Sequence, residues 1–307
     1  MSFLDRVYER ARAIRPRVVF PEGDDPRVQE AARRIEREGL AHVQLFDPRT
    51  AHSAPRTMIL LLRSRHPDKF PSDAAAEDAL EHPLMRGACL VGINAADVMV
   101  GGAVHPSADT IRAALWAVGT AAGIATVSGA FYMVKDDRVL TFADCGVVPE
   151  PTPAQLADIA IASARDRRRI VGDEPVVAFL SYSTHGSAGG QRVARVQEAV
   201  AALRRRSTSP PDFVFDGELQ GDAALVPDVA ARKAPGSAAA GQANVLIFPD
   251  LDAGNIGYKL VQRLGAWTAL GPILQGLARP IADLSRGATA DDIVSTAAIA
   301  ILQTREG

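Results

Sequence analysis

Arg17–Gly39 reads RVVFPEGDDPRVQEAARRIEREG, and the change of period inside it decides the fold class. Arg17 to Phe20 is a short β-branched and aromatic run, the pattern of a buried strand. From Pro26 to Glu38 the pattern is helical, and Gly39 closes it after a basic last turn. The alternation continues outward. Strands are expected at His42 to Phe46, Asp97 to Val100, Ala125 to Ser128, Val139 to Ala143, Val176 to Ser181, Phe213 to Phe215 and Val245 to Phe248. Helices are expected at Asp109 to Val118, Pro153 to Arg168, Gln191 to Arg206, Ile256 to Leu264 and Ala290 to Leu302. Thr289 caps the last of these, with Asp292 three residues on. Strands separated by helices mean βαβ units and a mostly parallel sheet. Asp136 and Asp137, between strands near Met133 and Val139, mark a hairpin and so an antiparallel element in the second half.

A chain of 307 residues exceeds the usual size of one core, so two domains are expected. Aromatics make up only 5%, so the cores must be built from Ala, Val, Ile and Leu, as suits parallel strands under Ala-rich helices. A net charge of -2 offers no general attraction to nucleic acid or anionic membranes, and any anionic ligand must be held locally. Cys89 and Cys145 form no disulfide framework and no metal-binding spacing, which points to a reducing cytoplasm and no metal. The charged start, Met1 to Pro16, lacks the apolar core of an export signal. Ala113 to Val134 is uncharged for 22 positions, but its Ala, Gly, Thr and Ser content and the breakers Gly119 and Gly123 read as buried helix, turn and strand. Arg167 to Arg169 and Arg204 to Arg206 read as solvated helix ends that complement the dipole.

No P-loop, dinucleotide, serine-hydrolase or zinc-protease motif is present. What remains is a set of strand-to-helix turns, the places where open α/β folds bind ligands. Three stand out: Ser181 to Gly190, Pro249 to Lys259, and Asp283 to Gly287. The third is the most informative, because Ser285, Arg286 and Asp292 bring a hydroxyl, a guanidinium and a carboxylate together across a loop and a helix start. Arg286 suits phosphate and a developing oxyanion. Asp292 is either a base or simply the cap of its helix, and the residues alone leave both open. Ser128, Asn255 and Lys259, at strand ends and a helix N-terminus, are candidate phosphate contacts.

These motifs, with Val18 to Asp24, Ala96 to His105, Thr110 to Leu115, Phe142 to Cys145, Gln155 to Ala160, Asp216 to Gln220, Asp222 to Pro227, Arg232 to Ser237, Ala243 to Lys259 and Gly271 to Gly276, resemble the phosphate acetyltransferase and butyryltransferase family, and its acetyl branch in particular. The resemblance implies two α/β/α domains of isocitrate/isopropylmalate-dehydrogenase type, each with a mostly parallel sheet, with the active site in the interdomain cleft. Domain I is then discontinuous, residues 1–122 plus 276–307, with domain II inserted as residues 123–275. It implies a homodimer and the reaction of acetyl-CoA with phosphate to give acetyl phosphate and CoA, with coenzyme A as a substrate and no permanently bound cofactor. The mechanism it implies is direct attack of the CoA thiolate in a ternary complex. Asp292 then takes the thiol proton, Arg286 binds the acyl phosphate, and Ser285 is its hydrogen-bonding partner. Arg112 and Arg63 match arginines implicated in coenzyme A binding, and Cys145 lies near the site without being essential.

The sequence also departs from the family. Between Phe46 and Leu60 the chain is shorter by a block, which touches coenzyme A contacts there. His185 stands where Lys is common, and His105-Pro-Ser replaces a more usual His-Ser-Thr, so that Pro106 restricts the helix entry. Other readings stay open: a propionyl or butyryl transferase, and a non-catalytic relative that kept the fold but lost coenzyme A. A hydroxyacid dehydrogenase of the related architecture would need a nicotinamide and a metal, which the motifs do not suggest.

Overall fold

A computed structural model of the chain describes residues 1–46, 55–206 and 212–305. The shortened block near residues 47–54 lies outside the described residues. By its internal contacts the chain divides into two compact units, Met1–Ala122 with the segment from Leu277 onward, and Gly123–Gly276.

Unit 1 runs α1 (Phe3–Ile14), β1 (Arg17–Phe20), α2 (Pro26–Arg37), β2 (His42–Leu45), α3 (Arg56–Arg65), α4 (Asp73–Leu80), α5 (Pro83–Gly92), β3 (Val98–Gly101) and α6 (Ser107–Ala117). Unit 2 runs β4 (Ser128–Lys135), β5 (Arg138–Ala143), α7 (Pro153–Ile170), β6 (Val176–Leu180), α8 (Gln191–Arg206), β7 (Val214–Leu219), α9 (Gly221–Leu225), α10 (Pro227–Lys233), β8 (Val245–Ile247), α11 (Leu251–Gly265) and β9 (Thr268–Gln275). The chain then returns to unit 1 with β10 (Ile281–Asp283) and α12 (Ala290–Leu302).

The sheet of unit 1 has the order β10-β3-β1-β2 and is parallel throughout. Its inner strands are buried on both faces, as helices on either side require: Val18, Val19, Phe20 and all of β3 are inaccessible, whereas the edge strand β2 is largely exposed. Helices α3, α5 and α6 cover one face through Leu62, Leu84, Ala88 and Ala114. Helix α12 packs with α1 and α2, and its residues Ile293 to Leu302 are all buried. That continuous apolar run belongs inside a layer.

Unit 2 has the order β7-β6-β8-β5-β4-β9. Strands β7, β6, β8 and β5 are parallel, and β4 and β9 join antiparallel at the far edge. The hairpin read from Asp136 and Asp137 is β4–β5, with Asp136 in the left-handed region and Lys135 opposite Arg138. The uncharged stretch from Ala113 resolves into the end of α6, a turn and β4, and among the described residues no helix is long and apolar enough to cross a membrane.

Several expectations need correction. The strand expected at Ala125 to Ser128 begins only at Ser128 and continues to Lys135. Ahead of it, the Asp158 carboxylate accepts from the Ala125 N–H (3.0 Å) and the Thr126 hydroxyl (2.8 Å), so a side chain takes the place of a ladder. Helix α11 starts at Leu251, ahead of the expected Ile256, because Asp250 caps it by accepting from the Ala253 N–H at 2.9 Å. Arg167 is no solvated helix end. It is 2% exposed, and its guanidinium donates to Asp173, to the Thr141 hydroxyl and to the carbonyls of Asn244 and Val139. Arg206 likewise pairs with the buried Asp158.

Candidate active site

In unit 1 the chain leaves β10 at Asp283, forms the loop Leu284–Thr289 and enters α12. Leu284 N–H donates to Gly101 O at 2.8 Å, fastening the loop's start to the end of β3. Within the loop the Ser285 hydroxyl accepts from the Gly287 N–H (3.2 Å), and Ala288 N–H donates to Ser285 O (2.9 Å). The exposed Arg286 guanidinium has no partner among the described residues.

Arg27, which the sequence reading did not single out, fixes this loop from below. Its Nη1 donates to Arg286 O (2.8 Å) and Ala288 O (3.0 Å), and its Nη2 to Ala103 O (2.9 Å). The other edge of the fork grips Asp25, at 3.1 Å through Nε and 2.9 Å through Nη2. The Arg27 contact holds the Asp25 carboxyl below the usual carboxylate range. One planar cation thus ties the turn after β1, the turn after β3 and the turn after β10. The nearest signal in the sequence was its place in the Pro-Glu-Gly-Asp-Asp-Pro-Arg turn; besides Asp25, its partners are backbone carbonyls distant in the chain, which sequence does not reveal.

Asp292 is at least a cap. Its Oδ2 accepts from the Thr289 N–H (2.9 Å) and hydroxyl (2.8 Å), while Asp292 N–H donates to Thr289 Oγ1 at 3.2 Å. Its Oδ1 takes no hydrogen bond from the described residues and the side chain is exposed, so the capping contact leaves one oxygen unused.

Of the other arginines in unit 1, Arg112 lies half-exposed on α6, where its Nη1 meets Asp109 Oδ1 at 2.7 Å. Arg63, on α3, is ion-paired to Asp73, a carboxylate it shares with Arg56, and its Nε is buried without a partner. Nearby, Glu22 is 2% exposed, and its carboxylate accepts from the N–H groups of Ala103 (2.7 Å), Val104 (3.1 Å) and His105 (3.1 Å) and from His105 Nδ1 (2.6 Å). The His82 ring stands 4.7 Å from that of His105, and burial, followed by His105 itself, pushes its pKa down.

In unit 2 the candidates are more committed to structure. Ser128 is fully buried and its hydroxyl accepts from Gln275 Nε2 at 2.8 Å, so it faces a buried network. Lys259 Nζ donates to Asn255 Oδ1 (2.7 Å), and Asn255 Nδ2 donates to Cys145 O (3.1 Å). Cys145 is fully buried; burial first, and the Asp144 charge second, push its thiol far above the range of a reactive nucleophile. The Ser181 to Gly190 turn spends its N–H groups within itself and on β7: Thr184 on Ser187 Oγ (3.0 Å), Ala188 on Ser183 Oγ (3.0 Å) and Gly186 on Glu218 Oε1 (2.8 Å). A Gly- and Ser-rich turn so occupied is a folded loop with few donors left for an anion.

Comparison with known proteins agrees with these motifs. The family model for phosphate acetyl/butaryl transferase matches residues 2–64 and 61–301. A phosphate acetyltransferase of Paracoccus denitrificans is 43% identical over 321 residues, covering 99% of this chain and 100% of the relative. One of Acetivibrio thermocellus is 41% identical over 331 residues, covering 99% of both. Among solved structures, a phosphotransacetylase of Streptococcus pyogenes superposes with a TM-score of 0.91 at 38% identity, covering 98% of each chain. A branched-chain phosphotransacylase of Enterococcus faecalis, at 17% identity and TM-score 0.67, shares the fold.

Proposed function

Because the chain belongs to the phosphate acetyl/butaryl transferase family, we propose a direct acyl transfer at the loop between β10 and α12 as the way in which it carries out its reaction. The chain is a phosphate acetyltransferase, an acyltransferase that interconverts acetyl-CoA and phosphate with acetyl phosphate and CoA. The observation that supports the proposed route is that one loop and the helix start after it carry both a guanidinium without a partner among the described residues, Arg286, and a carboxylate, Asp292, that keeps one oxygen unused.

The chemistry follows from the groups. A thiol of pKa about 8.5 is mostly neutral at pH 7, so a base is needed to form the thiolate. Asp292 Oδ1 takes that proton while Oδ2 stays on its cap. The thiolate sulfur attacks the acetyl carbon, a C–S bond forms, the C–O bond to phosphorus breaks, and phosphate leaves with the electron pair. Arg286 neutralises the phosphoryl oxygens and the carbonyl oxygen as charge builds there, and the Ser285 hydroxyl donates alongside it. Arg112 and Arg63 are proposed to hold the phosphates of coenzyme A, exchanging Asp109 and Asp73 for the ligand; Asn255 and Lys259 are secondary candidates for phosphate. No permanently bound cofactor enters this route.

The test is turnover with acetyl phosphate and coenzyme A. Arg286→Ala is expected to lower kcat by about two to three orders of magnitude. Asp292→Asn, which keeps the capping acceptor, is expected to lower kcat strongly with unchanged thermal stability. Near-normal turnover in either variant removes that residue from the chemistry. The chain is also proposed to work in the cytoplasm, where Cys89 and Cys145, both unpaired and buried, stay thiols. A homodimer is proposed on the exposed apolar stripe of α11, formed by Ile256, Leu260 and Leu264 at four-residue spacing.

A further inference from the structure

Asp283 ends β10, immediately before the loop that carries Ser285 and Arg286, and is only 3% exposed. The backbone closes over it. Gly102 sits at φ +94, and a methyl built there would lie 2.6 Å from Asp283 Oδ1 and 3.1 Å from Leu284 N, so only glycine lets the turn after β3 approach so closely. On the other side stands the first turn of α6, whose Ser107 and Thr110 hydroxyls bear on the carboxyl. Yet Asp283 Oδ1 and Thr110 Oγ1 are both buried without a hydrogen-bond partner. Buried polar atoms left unpaired are rare and costly, and here two of them lie on neighbouring elements, α6 and β10, that pack together.

We infer that Asp283 is a positioning residue for acyl transfer: its carboxylate, when ionised, accepts from the Ser107 and Thr110 hydroxyls and so fastens the first turn of α6 to the root of the Ser285–Arg286 loop. The helix it fastens carries Arg112 two residues after Thr110, so one side chain sets the coenzyme A arm against the acyl-phosphate arm. This rests on the acyl-transfer reading of that loop. The charge is held near a helix N-terminus, where a carboxylate is favoured.

The acid titrates within a working range. Burial raises its pKa to about 6; the Ser107 and Thr110 hydroxyls act against that rise, and the charge on Glu22 adds to it. The other titratable groups on the packed elements are His105 after β3, Asp109 and Arg112 on α6, Arg286 after β10, and Asp291 and Asp292 on α12.

The experiment is the pH profile of kcat with the intact chain. Wild type is expected to lose turnover as pH falls through about 6, when Asp283 protonates. Asp283→Asn, neutral and of the same size, is expected to run about ten- to a hundredfold slower at pH 8 and to lack that acidic limb. Thr110→Val, which removes one donor and keeps the volume, is expected to move the limb to higher pH. A limb unchanged in both variants, or full turnover of Asp283→Asn at pH 8, overturns the inference. A second readout is independent of the reaction. Folding favours the protonated acid, so its stabilising contribution is complete below the unfolded pKa of about 3.9 and is lost as pH rises through about 6. Asp283→Asn should therefore flatten the fall of Tm across that window. A flattened Tm curve with an unchanged kcat limb refutes the positioning role while leaving the titration intact. An unflattened curve refutes the titration itself.

Discussion

Arg167 and Asp292 are each a charged residue near a helix end, and the structure gives them opposite meanings. Arg167 turns inward and satisfies two backbone carbonyls, at 2.9 and 3.0 Å, at the end of unit 2's sheet where β5 and β8 meet. Because its ion-pair partner Asp173 is half exposed, the energy lies mainly in those carbonyls and the Thr141 hydroxyl rather than in the charge pair. Arg167→Ala is therefore expected to cost about 3 kcal/mol in urea unfolding, far more than a surface arginine. An effect below about 0.5 kcal/mol would return Arg167 to the solvated role that its Arg-rich run suggests. Asp292 shows the converse: its capping role and its candidate chemistry use different oxygens, so the two readings the sequence left open are compatible. Arg27 and Glu22 were illegible for the same reason as Arg167, since many of their partners are main-chain atoms brought near by the fold.

At the scale of elements, what was legible followed from period and punctuation. The first βα unit, the β4–β5 hairpin and α12 with its Thr289 cap could be read because each carries its own local signal. The edge strand β9 could not, because Gly271 and Pro272 interrupt it; an edge tolerates them where a central strand would not. No helices were assigned between residues 56 and 92, where α3 has a nearly continuous apolar run and α5 contains two glycines. Helix α11 hid its first turn behind Gly254. That glycine is a packing requirement, since a methyl there would lie 2.2 Å from Asp144 O. Gly254→Ala gains about 1 kcal/mol in helix propensity but loses up to about 3 kcal/mol to the clash. A net destabilisation of about 2 kcal/mol is expected from the chemical-denaturation midpoint, and a neutral result would mean that α11 slides freely past the β5 turn. The Asp144 carboxylate there accepts from the N–H groups of Gly129, Gly146, Val147 and Val148, which leaves that turn little freedom to give way.

For the whole molecule, the stripe on α11 carries the proposal of a second copy. Asp252 and Arg263 lie along one edge of the stripe near opposite ends of the helix, so a two-fold axis across its middle sets each acid against the partner's base. Leu260→Glu, which adds a charge at the centre of that face, is expected to shift the chain from dimer to monomer in light scattering. A dimer that survives the change would move the interface elsewhere. Unit 1, meanwhile, is assembled from two distant pieces of chain: β10 completes its sheet beside β3, and the wholly buried α12 completes its core. Chains grow from the N-terminus, so all of unit 2 is synthesised before the last strand and helix of unit 1 exist. The lobe whose first strand is made earliest is thus completed last, and one flank of β3 stays bare until β10 follows.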